Sequence, residues 1–345
     1  MCRAFALVGT DVSLFVNNRD DVDTASIALY YKTDIPFALR RISSGFFSPR
    51  ILPSFYTSEI YFALSFLLKT RKNEFDVIYS RHEWIIWFLS IFLSAKKLAW
   101  ESHEAKYNFP ARRLLKKGIR TVVISEGIFE DYITCGVPQE QLHIAHDGID
   151  ESFFGVVEDK MSVRKRLGLP EKATIAMYIG GFDAWKGIET FFAAASHCPS
   201  ILFVAIGGSS EQVATLRQQY PAVTFLGQHP YAALKDNQQA ADILVVPNSA
   251  KNDLSARYTS PLKLFAHMAS AVPLVVSDIP SLVTVTGRDL VTPVAPDDVR
   301  ALVEGVRDVF SHQDAKIQLA RELKRVSVRY TWNQRAKGII NFINN

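Results

Sequence analysis

The sequence predicts an α/β protein with two doubly wound domains, each built on a parallel sheet. Short apolar segments that suit buried strands alternate with segments of helical periodicity along the 345-residue chain. Glycine- or proline-containing turns follow predicted strands in the second half, at the edge where open α/β sheets bind ligands. Because 48% of the residues are hydrophobic and 12% are aromatic, the chain has enough apolar material for two sizeable cores.

The first half contains alternating predicted strands and helices. The strands are expected at 12–16, 75–79, 97–100 and 121–124, and the helices at 57–68, 84–94 and 127–134. Residues 3–8 suit a helix that precedes the first of these strands. A linker is expected near 146–156, which gives an N-terminal domain over residues 1–150 and a C-terminal domain over residues 151–330.

The second half repeats the pattern with a denser set of strands. Strands are expected at 173–178, 201–206, 224–226, 242–247 and 274–276, and helices at 160–167, 190–195 and 332–342. Two of these strands run directly into glycine pairs, Gly180 with Gly181 and Gly207 with Gly208. Glycines at such turns let a diphosphate approach the backbone, and the nearby Lys186 would neutralise its charge.

A further helix is predicted to begin after Thr259 and Ser260, with Pro261 in its first position. Leu262, Phe265 and Met268 would share its apolar face. Its amino end would present unpaired N–H groups to a phosphate, and Ser260 and Lys263 would add a hydroxyl and a cation. The alternative is an ordinary capped helix between two strands, because the capping signal is common.

These segments resemble a known family. Residues 175–340 resemble the donor domain of retaining glycosyltransferases of the family-4 type, through YIGGFDAWKG at 178–187 and ARYTSPLKLF at 256–265, the latter typical of a bacterial polysaccharide branch. The segments ISE at 124–126 and HDGID at 146–150 resemble the family's strands before the linker. The resemblance implies the GT-B fold, in which two Rossmann-like domains face a cleft and a C-terminal helix, here 331–345, crosses back to the first domain. It also implies transfer of a sugar from a nucleoside-diphosphate sugar without a required metal, with Lys186 and Lys263 stabilising the leaving diphosphate.

The chain departs from the family pattern at several positions. Two glutamates usual in the family fall on Tyr258 and Ala266, and an arginine of the glycine turn falls on Gly181. The second glutamate binds the nucleotide ribose, and a charge-assisted hydrogen bond of that kind contributes about 1.5 to 3 kcal/mol. Ala266→Glu is therefore expected to tighten nucleotide binding about tenfold or more. The family also opens with a strand and a glycine loop, whereas residues 3–8 here suit a helix. The expectation is therefore either a start upstream of residue 1 or an N-terminal domain whose first strand is missing.

The candidate chemistry of the first domain lies in residues 100–104 (WESHE) and at Arg81. His103 follows a predicted strand, at a position where the family often places a histidine that faces the transferred sugar, and imidazole can donate or accept a proton near neutral pH. Glu101 and Glu104 are weaker acceptor-side candidates. Arg81 either holds an acceptor phosphate or pairs with Glu83. A purely structural histidine is the alternative for His103.

Positive charge is concentrated in the first half of the chain. The net charge is only +4, but residues 40–120 hold 15 Lys and Arg against 6 Asp and Glu. This basic patch includes Arg40, Arg41, Lys69, Arg71, Lys72, Lys96, Lys97, Arg112, Arg113, Lys116 and Lys117. Interleaved with apolar runs, they suit either an anionic membrane surface and a lipid-linked acceptor, or core helices with solvated charged faces. No recognition motif for nucleic acid accompanies them.

The sequence therefore predicts a retaining glycosyltransferase that uses a nucleotide-sugar donor and a glycan or lipid-linked acceptor, in surface polysaccharide or glycolipid synthesis. No cofactor and no metal are expected. Scattered cysteines and the lack of a secretory signal favour a cytoplasmic protein, with peripheral attachment to the inner face of the plasma membrane as a further expectation. A weakly active or inactive paralogue that acts as a partner subunit is the main alternative. A nucleotide-sugar epimerase is disfavoured, because Tyr258 and Ala266 supply no acidic groups.

Overall fold

The structure is a computed structural model that describes residues 1–17, 23–31, 34–42, 55–71 and 74–345. The chain divides into two compact units. The first unit comprises Met1–His146 together with Trp332–Asn345, and the second comprises Asp147–Thr331. The first observed division, between His146 and Asp147, lies inside the linker expected at 146–156. The second, between Thr331 and Trp332, lies one residue after the expected start of the last segment at 331.

The helices and strands of the first unit alternate along the chain. In chain order they are α1 (Cys2–Leu7), β1 (Ser13–Asn17), α2 (Thr24–Tyr31), β2 (Ala38–Ile42), α3 (Phe55–Lys69), β3 (Ile78–Ser80), α4 (Glu83–Phe92), β4 (Leu98–Ser102), α5 (Phe109–Lys116), β5 (Arg120–Val123), α6 (Glu126–Thr134) and β6 (Leu142–Ile144).

The second unit continues the same alternation. Its elements are α7 (Lys160–Arg166), β7 (Thr174–Ile179), α8 (Ile188–Ala195), β8 (Ile201–Ile206), α9 (Ser210–Gln219), β9 (Val223–Gly227), α10 (Leu234–Asn237), β10 (Ile243–Val246), α11 (Leu262–Met268), β11 (Leu274–Ser277), α12 (Pro280–Thr286), β12 (Thr292–Val294), α13 (Val299–Ser311) and α14 (Gln313–Ser327). The last helix, α15 (Trp332–Asn344), belongs to the first unit.

The first unit contains two parallel sheets among its described residues. Strands β3, β4, β5 and β6 form one sheet in that order, and β1 pairs only with β2. Strand β4 is fully buried, with Ala99 and Trp100 inaccessible to solvent, because helices cover both faces of a parallel sheet. Ala99 also packs with Ile339 and Ile343 of α15, which is why this helix forms part of the first unit.

The second unit is a six-stranded parallel sheet in the order β12-β11-β10-β7-β8-β9. Its chain order reverses between β7 and β10, and ligands of doubly wound sheets bind at such a switch point, outside the carboxyl ends of the strands. Separate apolar cores cover the two faces. One contains Phe191 and Phe203, and the other contains Met177 and Phe265.

Several predicted elements differ in detail from the observed ones. The strand predicted at 75–79 is β3 at Ile78–Ser80, and the strand predicted at 12–16 pairs with β2 rather than joining the main sheet. Strands β2, β6 and β12 were not predicted, nor were helices α2, α5, α9, α10, α12, α13 and α14. Strand β2 contains the arginine pair of the sequence ALRRI and is largely exposed, and β6 has only three residues, so neither carries the apolar run on which the predictions depended.

Candidate active site

The glycine turns of the second unit lie at the carboxyl ends of β7 and β8, beside the switch point between β7 and β10. Gly180 follows β7 and Gly207 follows β8, both with positive φ, and the N–H of Gly180 donates to the carbonyl of Ile206 at 2.9 Å. A Cβ on Gly207 would lie 1.9 Å from the carbonyl oxygen of Gly180, and one on Gly208 would lie 2.3 Å from the ring of Phe182. Gly207 is therefore required for the close approach of the two strand ends, and Gly208 for the packing of the Phe182 ring.

Lys263 of α11 reaches the carboxyl end of β7. Its Nζ lies 4.4 Å from the centroid of the Tyr178 ring and donates to the Tyr178 hydroxyl at 3.3 Å. That hydroxyl in turn donates to the carbonyl of Gly181 at 2.7 Å. Burial, together with the positive charge of Lys186, lowers the pKa of Lys263 to about 7, while Asp183 opposes the shift.

Lys186 lies in the short turn between β7 and α8, close to the same group. Its Nζ lies 2.5 Å from Oδ2 of Asp183 and 5.2 Å from the centroid of the Trp185 ring. A Cβ on Gly181 would lie 2.8 Å from this Nζ, so Lys186 occupies the space that a side chain at position 181 would need. The arginine that the family often carries at this position has no counterpart here. The hydrogen bond from Lys186 is the main cause that lowers the pKa of Asp183. Two lysines and one aspartate thus surround the turn, which gives it a local excess of positive charge.

The start of the predicted phosphate-binding helix differs from the expectation. Helix α11 begins at Leu262, Pro261 is its N-cap, and no side chain caps it. Ser260 is buried and its Oγ accepts a hydrogen bond from the N–H of Asp147 at 2.7 Å. Thr259 is extended and ends a π-helical turn at 254–258. The predicted cap is therefore wrong, because Ser260 holds the chain at 147 rather than the helix end.

The predicted apolar face of this helix is also partly wrong. Phe265 and Met268 are buried as expected, but Leu262 is 46% exposed. Ala266 is buried in the core with them. The neighbouring His267 is fully buried, and its Nδ1 lies 3.0 Å from the carboxamide oxygen of Gln238. Burial, and secondarily the charge of Lys263, lowers the pKa of His267 to about 3.

Tyr258 stands where the family carries its first glutamate. It lies at the end of the π-helical turn, partly buried, and the guanidinium of Arg257 lies 5.3 Å from the centroid of its ring. An aromatic hydroxyl therefore takes the place of a carboxylate at this position. The group that the structure brings together around Tyr178 consists of Lys186, Lys263 and Gly180.

The candidate residues of the first unit meet around Glu101, in β4. This carboxylate is completely buried and contacts four donors: His103 Nε2 at 2.5 Å, Arg81 Nε at 3.0 Å, Arg335 Nη2 at 3.1 Å and the hydroxyl of Tyr79. Burial alone would raise the pKa of Glu101, but the hydrogen bond from His103 and the charge of Arg335 hold it well below its ordinary value.

One sequence-based alternative in this unit needs correction. Arg81 pairs with Glu101 and not with Glu83; Glu83 instead accepts a hydrogen bond from Asn108 at 3.1 Å, because the helix that it begins turns its carboxylate toward α5. Glu104 is largely exposed, and its carboxylate lies 3.7 Å from Lys106. Glu104 is thus separate from the buried group that Glu101 and His103 form.

Part of the predicted basic patch is tied into the structure. Arg40 pairs with Glu74 and lies over the rings of Phe15 and Phe75, and Lys117 donates to the carbonyl of Ser90 at 2.5 Å. Lys72 lies outside the described residues. Lys97 donates to the carbonyl of Phe75 at 3.4 Å. The remaining cations of the patch are exposed, namely Arg41, Lys69, Arg71, Lys96, Arg112, Arg113 and Lys116.

Sequence reasoning missed several residues of these two groups. The sequence predicts Tyr178 only as part of an apolar strand, because nothing in its local pattern indicates that a lysine would contact it. Arg335 and Tyr79 lie far from Glu101 in the chain, and no local pattern reports such a contact. Asn248, which follows β10 at the switch point, is completely buried, and its carboxamide has no hydrogen-bond partner among the described residues.

Within the described part of the chain, no cluster of three or more His, Cys, Asp or Glu side chains has the arrangement of a metal site. A search of the same residues finds no helix with both the length and the hydropathy needed to span a bilayer.

Comparison with known proteins finds a family to which part of the second unit is similar. Residues 173–312 match the model of the glycosyl transferases group 1. The putative teichuronic acid biosynthesis glycosyltransferase TuaC of Bacillus subtilis (strain 168) is 28% identical over 191 residues, which are 54% of this chain and 46% of TuaC. The chain spans about half the length of the curated relatives that it matches, from 46% to 59%.

The fold is also similar to that of solved glycosyltransferase structures. Sucrose-phosphate synthase from Thermosynechococcus elongatus superposes with a TM-score of 0.73 at 20% identity, covering 99% of this chain and 90% of that one. Anabaena Alr3699/HepE in complex with UDP and glucose superposes with a TM-score of 0.71 at 14% identity, covering 99% and 95%. The predicted fold is confirmed: the chain has the GT-B fold of these structures, and its residues 173–312 are similar to the glycosyl transferases of group 1.

Proposed function

We propose that this protein is a retaining glycosyltransferase that moves a sugar from a nucleoside-diphosphate sugar to an acceptor hydroxyl. The observation that carries the proposal is the convergence of Lys186 and Lys263 at the carboxyl end of β7. Two ammonium groups near one aspartate leave a site with excess positive charge, and the pKa of Lys263 is lowered partly by Lys186. A diphosphate bound there relieves this repulsion, and its own charge is neutralised.

The chemical step follows from that charge. When the bond between the sugar and the diphosphate breaks, negative charge grows on the leaving oxygen. Lys186 and Lys263 stabilise this charge, and such preorganised electrostatic stabilisation is usually the largest single contribution to catalysis. The departing diphosphate takes the proton of the acceptor hydroxyl, so the proposal assigns no protein nucleophile. Gly180 and Gly207 keep the backbone at the switch point free of side chains.

The acceptor side of the proposal rests on the first unit. His103 and Arg81 follow β4 and β3, which are adjacent parallel strands, so both residues lie at the carboxyl edge of one sheet. Arg81 is 56% exposed and keeps donors for an acceptor phosphate or hydroxyl. The name of TuaC refers to teichuronic acid biosynthesis, and we extend this to a role for the present chain in surface polysaccharide or glycolipid synthesis.

We further propose peripheral attachment to an anionic membrane through one face of the first unit. This aromatic-basic face is defined by Ile91, Phe92, Phe109, Arg112, Arg113 and Lys116, all exposed. Trp87 of α4 contacts Phe109 with ring centroids 5.4 Å apart, which makes the face continuous, and Arg113 lies over the Phe109 ring. Apolar side chains beside cations suit the boundary of an anionic bilayer, where a lipid-linked acceptor would lie.

The first test is nucleotide binding. Calorimetry and thermal unfolding with UDP, GDP, ADP and their sugar conjugates are expected to reveal saturable binding of one nucleotide, which raises the melting temperature. UDP is the first choice, because solved structures with this fold contain UDP. Lys186→Met and Lys263→Met should each weaken that binding, and Lys172→Met, at the opposite end of β7, should not.

The main alternative is an inactive paralogue that serves as a partner subunit, and the alanine at position 266 favours it. If the folded protein binds no nucleotide, this alternative replaces the proposal. Ala266→Glu examines the same question directly. Because the position is 1% exposed, the added carboxylate should lower the melting temperature without ligand and tighten UDP binding about tenfold or more. Ala266→Gln, of equal length but neutral, should tighten it less; equal affinities of wild type and Ala266→Glu would remove the family role of this position.

A further inference from the structure

The buried carboxylate of Glu101 is surrounded by four side chains of the protein. His103 and Tyr79 donate hydrogen bonds to it, and the guanidinium groups of Arg81 and Arg335 complete the shell. Oε1 faces Arg81 and His103, and Oε2 faces Tyr79 and Arg335. Each carboxylate oxygen thus has one hydrogen-bond donor and one guanidinium group beside it. Glu101 therefore does not reach a substrate itself.

The charge on Glu101 fixes the state of the histidine ring. Burial disfavours the ionised form, yet the surrounding donors keep the pKa of Glu101 well below its ordinary value. An ionised carboxylate only accepts hydrogen bonds, so the contact of 2.5 Å requires a hydrogen on His103 Nε2. In the neutral imidazole the other nitrogen, Nδ1, is then the acceptor.

His103 lies where this acceptor can be used. It directly follows β4 at the carboxyl edge of the sheet, and 30% of its side chain is exposed, whereas Glu101 beneath it is fully buried. Arg335, which is only 2% exposed, approaches Glu101 from α15, and its Nε donates to the carbonyl of His146 at 2.8 Å. Arg335 thus fixes the carboxylate of Glu101, and that carboxylate fixes the imidazole of His103.

We propose that Glu101 is a positioning residue that holds the hydrogen of His103 on Nε2, so that Nδ1 accepts a hydrogen bond from a hydroxyl of a bound sugar. This inference rests on the proposed glycosyltransferase function and names a specific atom for the recognition of its substrate. Arg335 and Tyr79 have the same purpose one step further away, since they orient the carboxylate.

Replacement of Glu101 by glutamine should reverse the tautomer of His103. In the glutamine an NH2 group replaces one of the two carboxylate oxygens, and each oxygen faces an arginine. Because arginine only donates hydrogen bonds, the NH2 group must displace the arginine that it faces. Arg335 is 2% exposed and cannot move away, whereas Arg81 is 56% exposed and can turn into solvent. The NH2 group therefore takes the place of Oε1 and donates to His103 Nε2. The ring hydrogen moves to Nδ1, which becomes a donor where the substrate needs an acceptor.

The test is nitrogen NMR of protein labelled with ¹⁵N-histidine, at alkaline pH where the rings are neutral, with the His103 signal assigned from its loss in His103→Asn. The wild type should contain the tautomer with hydrogen on Nε2, and Glu101→Gln the tautomer with hydrogen on Nδ1. The same variant should lose at least tenfold in kcat of sugar transfer with a smaller change in KM for the donor. Glu126→Gln is the matched control, because Glu126 contacts another histidine, His146, at 3.0 Å in the same unit; it should change neither readout of His103.

The outcomes separate the two proposals. Hydrogen on Nδ1 in the wild type overturns the inference, whether or not the variant folds, and so does an unchanged kcat in a folded Glu101→Gln variant with a reversed tautomer. If the protein transfers no sugar from any donor, the proposed function fails, and with it the role of Nδ1 toward a substrate. The tautomer measured in the wild type still decides whether Glu101 positions the ring.

Discussion

Lys263 combines two properties at the scale of a single residue: it lies at the proposed diphosphate site, and its pKa is lowered to about 7 by burial and by Lys186. Above this pH the free protein carries a neutral amine. A diphosphate favours the charged form, so its binding should raise the pKa and draw a proton from solution. Affinity for UDP should therefore fall as the pH rises above 7, and at pH 8 binding should take up close to one proton, or about 0.9 for a pKa of 7.

Proton uptake is measured from the dependence of the calorimetric enthalpy on the ionisation enthalpy of the buffer. Lys263→Arg is the informative variant, because arginine stays charged across this pH range and needs no added proton. It should bind UDP with little proton uptake and with an affinity that depends less on pH. Lys172→Arg, on an exposed residue at the opposite end of β7, should behave as the wild type. Equal proton uptake in Lys263→Arg and the wild type would contradict the assignment.

Sequence reasoning reached the lysines of the site but not their partners. Lys186 and Lys263 lie in segments whose spacing is similar to that of a family, so their positions were available. The partners of Glu101 were not, because a contact between β4 and α15 joins residues at opposite ends of the chain. Ser260 was predicted to cap a helix since its identity and place before Pro261 are typical of a cap. Its hydroxyl instead holds the N–H of Asp147, a tertiary contact that local propensity does not contain.

The turn between β7 and α8 shows how an element is positioned by one glycine. Gly187 has φ +64, and a Cβ there would lie 1.9 Å from the carbonyl oxygen of Pro247, which follows β10. Gly168 has nearly the same φ, +67, but open space around its Cβ position. Gly168→Ala should therefore cost only the left-handed conformation, about 1 to 2 kcal/mol. Gly187→Ala should cost that amount and about 1 to 3 kcal/mol more, because the backbone at the switch point must move.

Urea denaturation of both variants measures the difference, and UDP affinity gives a second readout. The backbone shift at Gly187 should displace Lys186, its neighbour, and weaken nucleotide binding, whereas Gly168→Ala should bind as the wild type does. Equal unfolding free energies for the two variants would mean that the approach of Gly187 to Pro247 is looser than the structure indicates.

The elements themselves were predictable where an apolar run met a clear boundary. Strands β8 and β10 lie between turn residues and were placed within a residue of their observed bounds. Helices α13 and α14 were not predicted. Among the other errors, β2, β6 and β12 lack a long apolar run, and helix α11 begins one residue later than Pro261 suggested. In these cases pairing with a neighbouring strand, or a contact of the preceding loop, decided the structure.

At the scale of the whole molecule, the charge is distributed unevenly. A net charge of +4 implies little by itself, but the exposed cations Arg112, Arg113 and Lys116 lie on α5 beside the exposed ring of Phe109. Their opposite helix face, with Ala111 and Leu114, is buried. Helix α5 is thus anchored in the first unit by one face and presents cations with the other, so removal of these cations should leave the fold intact.

The aromatic-basic face predicts selective binding to anionic vesicles. The protein should sediment with vesicles rich in phosphatidylglycerol and not with neutral phosphatidylcholine, and the binding should weaken with added salt. Because one cation near an anionic surface contributes about 1 kcal/mol, the double variant Arg112→Gln, Arg113→Gln should lower the partition coefficient about thirtyfold. Ile91→Ser with Phe92→Ser should weaken binding at every salt concentration, since these side chains are 55% and 58% exposed and insert by apolar burial.

The matched control comes from the second unit, where Tyr231 and Phe310 are exposed to a similar extent, 50% and 46%. Tyr231→Ser with Phe310→Ser removes two large hydrophobic side chains of similar exposure from outside the face and should leave vesicle binding unchanged. An equal loss of vesicle binding in both double serine variants would indicate nonspecific hydrophobic adsorption rather than a docking face. Binding to neutral and anionic vesicles alike would remove the role of the cations, and with it the argument that this face directs the protein to an anionic membrane.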